Sequence, residues 1–366
     1  MSPTPDSIRR ALTQIVDPDL GVDLVSAGSV KELEIDGSRV RFTLELATHT
    51  SPLRETIAER ARTLVAAIEG VASVEVEVTV RVRSATAPER GGPPLAGVKN
   101  VIAVGAGKGG VGKTTVSVNL ALSLTKAGAR VGLLDGDIYG PNVPMMLGLK
   151  AELTTDGRQI RPAEKFGLQI VSLAFMTTDD QAVIWRGPMV HSAIQQFFRE
   201  VGWRDLDYLI IDMPPGTGDV ALSLSQTVPV AGAVVVTTPQ QVSLADSRRA
   251  VRMYQKLNIP TLGIVENMSY YACPNCHHES DLFGFGGGEQ IASSMDVPFL
   301  GRLPVYQPIS LGSDRGIPIV IAEPDSPAGR AFGQVAQRVA AQVAHNAHKN
   351  ALANKGKIPL IPIRSK

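Results

Sequence analysis

The sequence predicts an α/β fold, a mostly parallel, doubly wound sheet preceded by a small α+β domain. Three observations carry that expectation. In residues 98–345, short runs of consecutive apolar residues alternate with segments of helical spacing, the pattern of strands buried on both faces and joined by helices. A glycine- and lysine-rich loop stands between one such run and a helix. A separate α-β-β-α-β pattern fills residues 1–83, ahead of a Pro-, Gly- and Ala-rich stretch at 84–97.

In the first module, Ile8, Leu12 and Ile15 give residues 7–16 helical spacing, and Asp17-Pro18 ends the segment. Residues 30–35 and 40–46 alternate on either side of Asp36-Gly37, a hairpin signal. Residues 52–68 are again helical, and 74–82 alternate as a strand. The stretch at 84–97 has no periodicity and reads as a linker. Beyond it, apolar runs at 101–104, 131–134, 208–211, 233–236, 262–265 and 299–300 read as strands. Residues 115–126 and 244–257 are two of the intervening helices. The basic segment 346–366 lacks a packing pattern and is expected to be a loose tail.

Composition narrows the function classes. The chain has 366 residues, 44% hydrophobic and 19% charged, with a formal net charge of +1. Such a balance suits a packed soluble protein of about two domains and gives no reason to expect nucleic acid or an anionic membrane as partner. The apolar runs are strand-length, far short of the roughly 20 residues of a spanning helix. The polar, proline-containing start does not resemble a secretory signal. The only cysteines are Cys273 and Cys276, which excludes a disulfide framework and points to metal or redox chemistry in a reducing, cytoplasmic setting.

The most specific motif is Gly107-Lys108-Gly109-Gly110-Val111-Gly112-Lys113-Thr114, followed by Thr115. It matches the P-loop pattern G-x-x-x-x-G-K-[ST] in its strand–loop–helix context. Glycines let backbone N–H groups close around phosphate oxygens, and the helix N-terminus adds favourable partial charge. Lys113 can reach the β- and γ-phosphates of ATP, and the Thr114 hydroxyl can ligate Mg²⁺. Asp135 and Asp137 follow one strand, and Asp212 ends another ahead of Met213-Pro214-Pro215-Gly216-Thr217-Gly218-Asp219. Asp212 suits Mg²⁺, Asp137 suits orientation of the attacking water, and the Gly-rich turn can sense a γ-phosphate. A helix cap is the ordinary alternative for each aspartate alone. Lys108 is a second lysine in the same loop; a solvated surface residue is its ordinary alternative.

Cys273-Pro274-Asn275-Cys276 lies among turn formers and precedes His277, His278 and Gly284-Phe285-Gly286-Gly287-Gly288. Three chemistries fit the residues. The pair could be half of an iron–sulfur site, a second chain supplying the other two thiolates. It could hold zinc with His277 or His278, or act as a redox dithiol.

Asp-Gly-Asp-Ile-Tyr-Gly-Pro-Asn at 135–142, Trp-Arg-Gly-Pro-Met at 185–189, Thr-Thr-Pro-Gln at 237–240 and Glu-Asn-Met-Ser at 266–269 join these motifs in one ordered series within residues 99–344. That region resembles the Mrp/ApbC-type P-loop ATPases, relatives of MinD and nitrogenase iron protein. The resemblance implies a homodimer bridging a [4Fe–4S] cluster through Cys273 and Cys276 of both chains. It implies slow ATP hydrolysis coupled to transfer of the cluster to apo iron–sulfur proteins, with assembly scaffold proteins as further partners. It makes Lys108 a "deviant Walker A" lysine that crosses to the partner's nucleotide, a catalytic role beside Lys113 and Asp137, and makes Asn267 an adenine contact.

The first module resembles the small domain fused to these ATPases, on Asp17-Pro18-Asp19-Leu20-Gly21. Ser51-Pro52 stands where that domain frequently has Cys-Pro, so a recruitment or regulatory role is expected, without a cluster on that residue. His277 also departs from the glycine usual after the second cysteine. The alternative is a MinD/ParA-like switch ATPase in positioning or signalling, with structural zinc at the cysteine pair.

Overall fold

The computed structural model describes residues 3–85, 95–137, 140–155, 157, 159–176, 187–216, 219–276 and 278–355. The chain divides into two compact units, Met1–Ala87 with Ala341–Lys366, and Pro88–Ala340.

In the first unit, helix Pro5–Leu12 starts with proline in its first turn, and Thr4 and Ser7 cap it reciprocally. It stops four residues before the expected end. Asp17 turns the chain, its carboxylate accepting the N–H groups of Asp19 and Leu20, and a short Val16–Asp17/Val22–Asp23 ladder forms that the sequence reading lacked. Strands Val30–Asp36 and Arg39–Leu46 pair antiparallel. Gly37, at φ +57°, provides the left-handed turn between them. Helix Arg54–Ala66 then returns the chain so that Ser73–Val80 runs parallel to Arg39–Leu46. Ile8, Leu12, Phe42, Leu44, Ile57 and Val65 fill the core between helices and sheet.

The expected loose tail is corrected by the last helix, Pro327–Lys355. Residues 346–355 are helical, and Ala344 packs with Leu20 and Ala27. Alanine, the residue with the lowest helical cost, recurs at 340, 341, 344, 347, 351 and 353. Residues 356–366 lie outside the described residues, as does most of the expected linker.

The second unit holds, among the described residues, a nine-stranded sheet. Leu168–Ser172, Val131–Asp135, Leu206–Asp212, Val98–Gly105, Val230–Thr237, Thr261–Ala272 and Phe299–Val305 lie side by side in that order, all parallel. Ala163–Lys165 adds an antiparallel edge, and Glu279–Ser280 pairs with the end of Thr261–Ala272. Ala163–Lys165, Leu168–Ser172 and the hairpin turn between them at Phe166 and Gly167, both at positive φ, went unread in the sequence. Every residue of Val131–Asp135 and Leu206–Asp212 is buried, which requires cover on both faces. The chain moves from the central strand Val98–Gly105 to one side first and later to the other. In open sheets of this kind ligands bind where that direction reverses, beyond the strand's carboxyl end.

Candidate functional site

The glycine-rich loop sits at that reversal. It joins strand Val98–Gly105 to helix Lys113–Lys126. Gly112 caps the helix at φ +84°, and a Cβ there would lie 2.3 Å from Asn267 Nδ2, so conformation and space both demand glycine. Gly107 is required by packing, because a Cβ would come 2.2 Å from the Asp246 carbonyl oxygen. Gly109 and Gly110 are exposed, Val111 is buried, and Thr114 and Thr115 are half-buried in the first turn. Lys113 is only 6% exposed, whereas Lys108 is half-buried.

Register brings the acidic residues together. Ser172, Asp135, Asp212 and Val104 stand opposite one another across four adjacent strands. Asp212 accepts hydrogen bonds from Thr114 Oγ1 at 2.6 Å and Ser117 Oγ at 2.8 Å. Asp135 accepts from Ser172 Oγ at 2.9 Å and from the Asp137 and Val143 amides at 3.3 Å. Both carboxylates are fully buried. Burial, with the charge of Asp212 second, pushes Asp135 up to about 8. Burial lifts Asp212 to about 6, opposed by its two hydroxyl donors and by Lys113. Asp137 is half-buried beside them. Ser117 and Ser172 were missed in the sequence. Ser117, one turn after Thr114, had a positional signal; Ser172 had none, because only strand pairing brings it here.

Asn267 lies on the same site, on strand Thr261–Ala272. Its amide donates to the Val111 carbonyl at 2.9 Å. The strand ends at Ala272, and the cysteines follow at once. The Cys273 N–H donates to the His278 carbonyl at 3.1 Å and closes the loop. Cys273 is half-buried and Cys276 exposed. The backbone N–H of Cys276, then that of Asn275, then the Cys276 thiol and the Tyr271 hydroxyl point charge at Cys273, holding its thiol below the usual range. Among the described residues no group of three or more His, Cys, Asp or Glu is placed to hold a metal ion; His277 lies outside them. Leu282, Phe283 and Phe285 stand exposed beyond the pair, and Arg302 stacks on Phe285, 3.8 Å from its ring centre. Trp185, Arg186, Thr217 and Gly218 fall outside the described residues.

A P-loop at the switch point of a parallel sheet, with serine, threonine and aspartate gathered at the strand ends, defines a P-loop NTPase. The comparisons name the branch. Residues 97–340 match the family model described as "NUBPL iron-transfer P-loop NTPase", and the chain belongs to that family. Residues 5–78 match a model described as "Iron-sulfur cluster assembly protein". The chain is 46% identical over 347 residues to an iron-sulfur cluster carrier protein of Synechocystis, covering 93% of this chain and 98% of that protein. It is 46% identical over 340 residues to one of Deinococcus radiodurans, covering 92% and 95%. Among solved structures it resembles a nucleotide-binding protein in complex with ADP from Archaeoglobus fulgidus. There the TM-score is 0.56 and identity 35%, over 65% of this chain and 93% of that one.

Proposed function

We propose that this protein is an ATP-dependent carrier that holds a [4Fe–4S] cluster between two copies of itself and delivers it to apo iron–sulfur proteins. The observation that carries the reading is one strand, Thr261–Ala272, which touches the P-loop through Asn267 and ends just before a pair of thiols, Cys273 half-buried and Cys276 exposed. Two thiolates are half of what such a cluster takes, and the exposure of Cys276 and Phe285 leaves room for a second copy. The named relatives support the cargo.

The residues at the strand ends fit Mg²⁺. Thr114 and Asp212 present a hydroxyl and a carboxylate 2.6 Å apart, hard oxygen donors beside a buried carboxylate pair that a cation would relieve. They would hold the ion, which neutralises phosphate charge when bound. Lys113 binds the β- and γ-phosphates, Asp137 orients the attacking water, and Lys108 reaches the nucleotide of the second copy. Asn267, when it leaves Val111, meets the adenine. Hydrolysis is slow and coupled to cluster transfer. The first unit, with Ser51 in place of a cysteine, recruits scaffold or recipient proteins. The site of action is the cytoplasm.

Anaerobic reconstitution with iron and sulfide tests the reading. About two irons per chain in a dimer, lost in Cys273→Ala, supports a shared [4Fe–4S] cluster. About one tightly held zinc per chain and no cluster overturns it in favour of a switch ATPase with structural zinc.

A further inference from the structure

Strand Thr261–Ala272 is not regular where it passes the phosphate loop. Glu266 pairs with Arg302 and Tyr270 with Pro304 on the neighbouring strand, so residues 267–269 form a bulge with two more residues than the strand they face. At its centre Met268 has φ +54°, a left-handed conformation that a side chain disfavours and that methionine has no special means to tolerate.

Both sides of the bulge are clamped. Asn267 donates to the Val111 carbonyl of the phosphate loop, and its amide fills the space over Gly112. Glu266 is fully buried; it accepts the Ser269 hydroxyl at 2.6 Å and the Gly288 backbone N–H, which opens helix Gly287–Ser294. Beyond Tyr270 the strand runs on through Tyr271, whose hydroxyl reaches Cys273. Strain of this kind persists only where surroundings hold it, and it gathers at switch elements.

We infer that Asn267 and Met268 are positioning residues that set the geometry of the cysteine loop according to the occupancy of the phosphate loop. The strained bulge is held while Asn267 grips Val111. A nucleotide that reorders the loop takes that grip away, the bulge relaxes toward regular pairing, and the shift passes along residues 269–272 to Cys273. The inference rests on the carrier reading for its purpose, but its geometry stands without a cluster.

Because Cys273 and Cys276 are the only cysteines, the rate at which the full-length, cluster-free chain reacts with iodoacetamide reports on this loop alone. The rate is measured with and without Mg²⁺ and a non-hydrolysable ATP analogue, and analogue affinity is measured separately with a fluorescent nucleotide. Wild type is expected to change its rate at least about fivefold on binding, the lower end of ordinary coupling between sites. Met268→Gly, which removes the strain, is expected to bind the analogue as wild type does and lose the change in rate. Met268→Ala keeps a Cβ in the left-handed region and is expected to retain it.

A full response in Met268→Gly overturns the inference, and so does loss of the response in both variants, because the side chain rather than the backbone would then be responsible. A wild type that binds the analogue with no change in rate also overturns it. None of these outcomes touches the carrier reading, which stands or falls on the iron and sulfide counts.

Discussion

The phosphate site and the cysteine site, both reached from strand Thr261–Ala272, are built on opposite plans. At the phosphate site, Lys113, Asp135 and Asp212 are buried and each oxygen of the two carboxylates accepts a hydrogen bond from the protein. At the cysteine site, Cys276 is exposed, and the loop is closed by the Cys273 to His278 bond and a two-residue ladder. A highly charged ligand is held by preorganised dipoles and charges out of water, where each is worth more. A cargo that must leave needs ligands that its recipient can reach.

The sharpest break of this contrast is Lys113→Ala. It removes the buried cation of the glycine-rich loop, and a fluorescent-nucleotide titration is expected to show affinity lowered roughly 10- to 100-fold, the range for a charge-assisted bond. Unchanged affinity would mean that the phosphate site lies elsewhere. Gly112→Ala comes next. The φ of +84° and the 2.3 Å approach to Asn267 Nδ2 predict a loss of about 1–3 kcal/mol in stability, read by denaturant unfolding. Stability like wild type would mean that the loop relaxes freely.

The carboxylate pair predicts a pH dependence. Asp135 and Asp212 titrate at about 8 and about 6 in the fold against an ordinary 3.8. The folded state therefore binds more protons than the unfolded chain between those values. The pair's contribution is fully favourable below about pH 4 and is lost as pH rises through about 6 and then about 8. For protein free of nucleotide and Mg²⁺, thermal midpoints are expected to fall over that window, and to fall less steeply in Asp135→Asn. Equal slopes in both proteins would show that this pair does not carry the dependence. The smallest effect is expected at the cysteine site. Cys276→Ser, at an exposed site, should shift the midpoint by only about 1–2 °C while abolishing iron retention after reconstitution. A large thermal shift would make the pair structural.

Legibility followed the same division. The phosphate loop is continuous in sequence, so Gly107 to Thr114 carried its own context of strand and helix. The cysteine pair was equally plain, and its spacing left three chemistries open. The hairpin at Asp36-Gly37 and the buried strands were readable because local turn chemistry and apolar runs decide them. The last helix was not: its polar Asn, His and Lys residues hid the alanines that continue it.

By itself, the sequence determined the parallel architecture, the nucleotide loop and the two thiols, since each depends on residues adjacent in the chain. Tertiary structure alone decided that Ser172, Asp135 and Asp212 form one row, because strand register is a matter of pairing between distant segments. It alone put the Asn267 amide on a carbonyl 156 residues away in sequence. It alone gave Met268 a positive φ, for a methionine carries no local preference that would announce such a turn, and only the contacts clamped on either side of it can impose one.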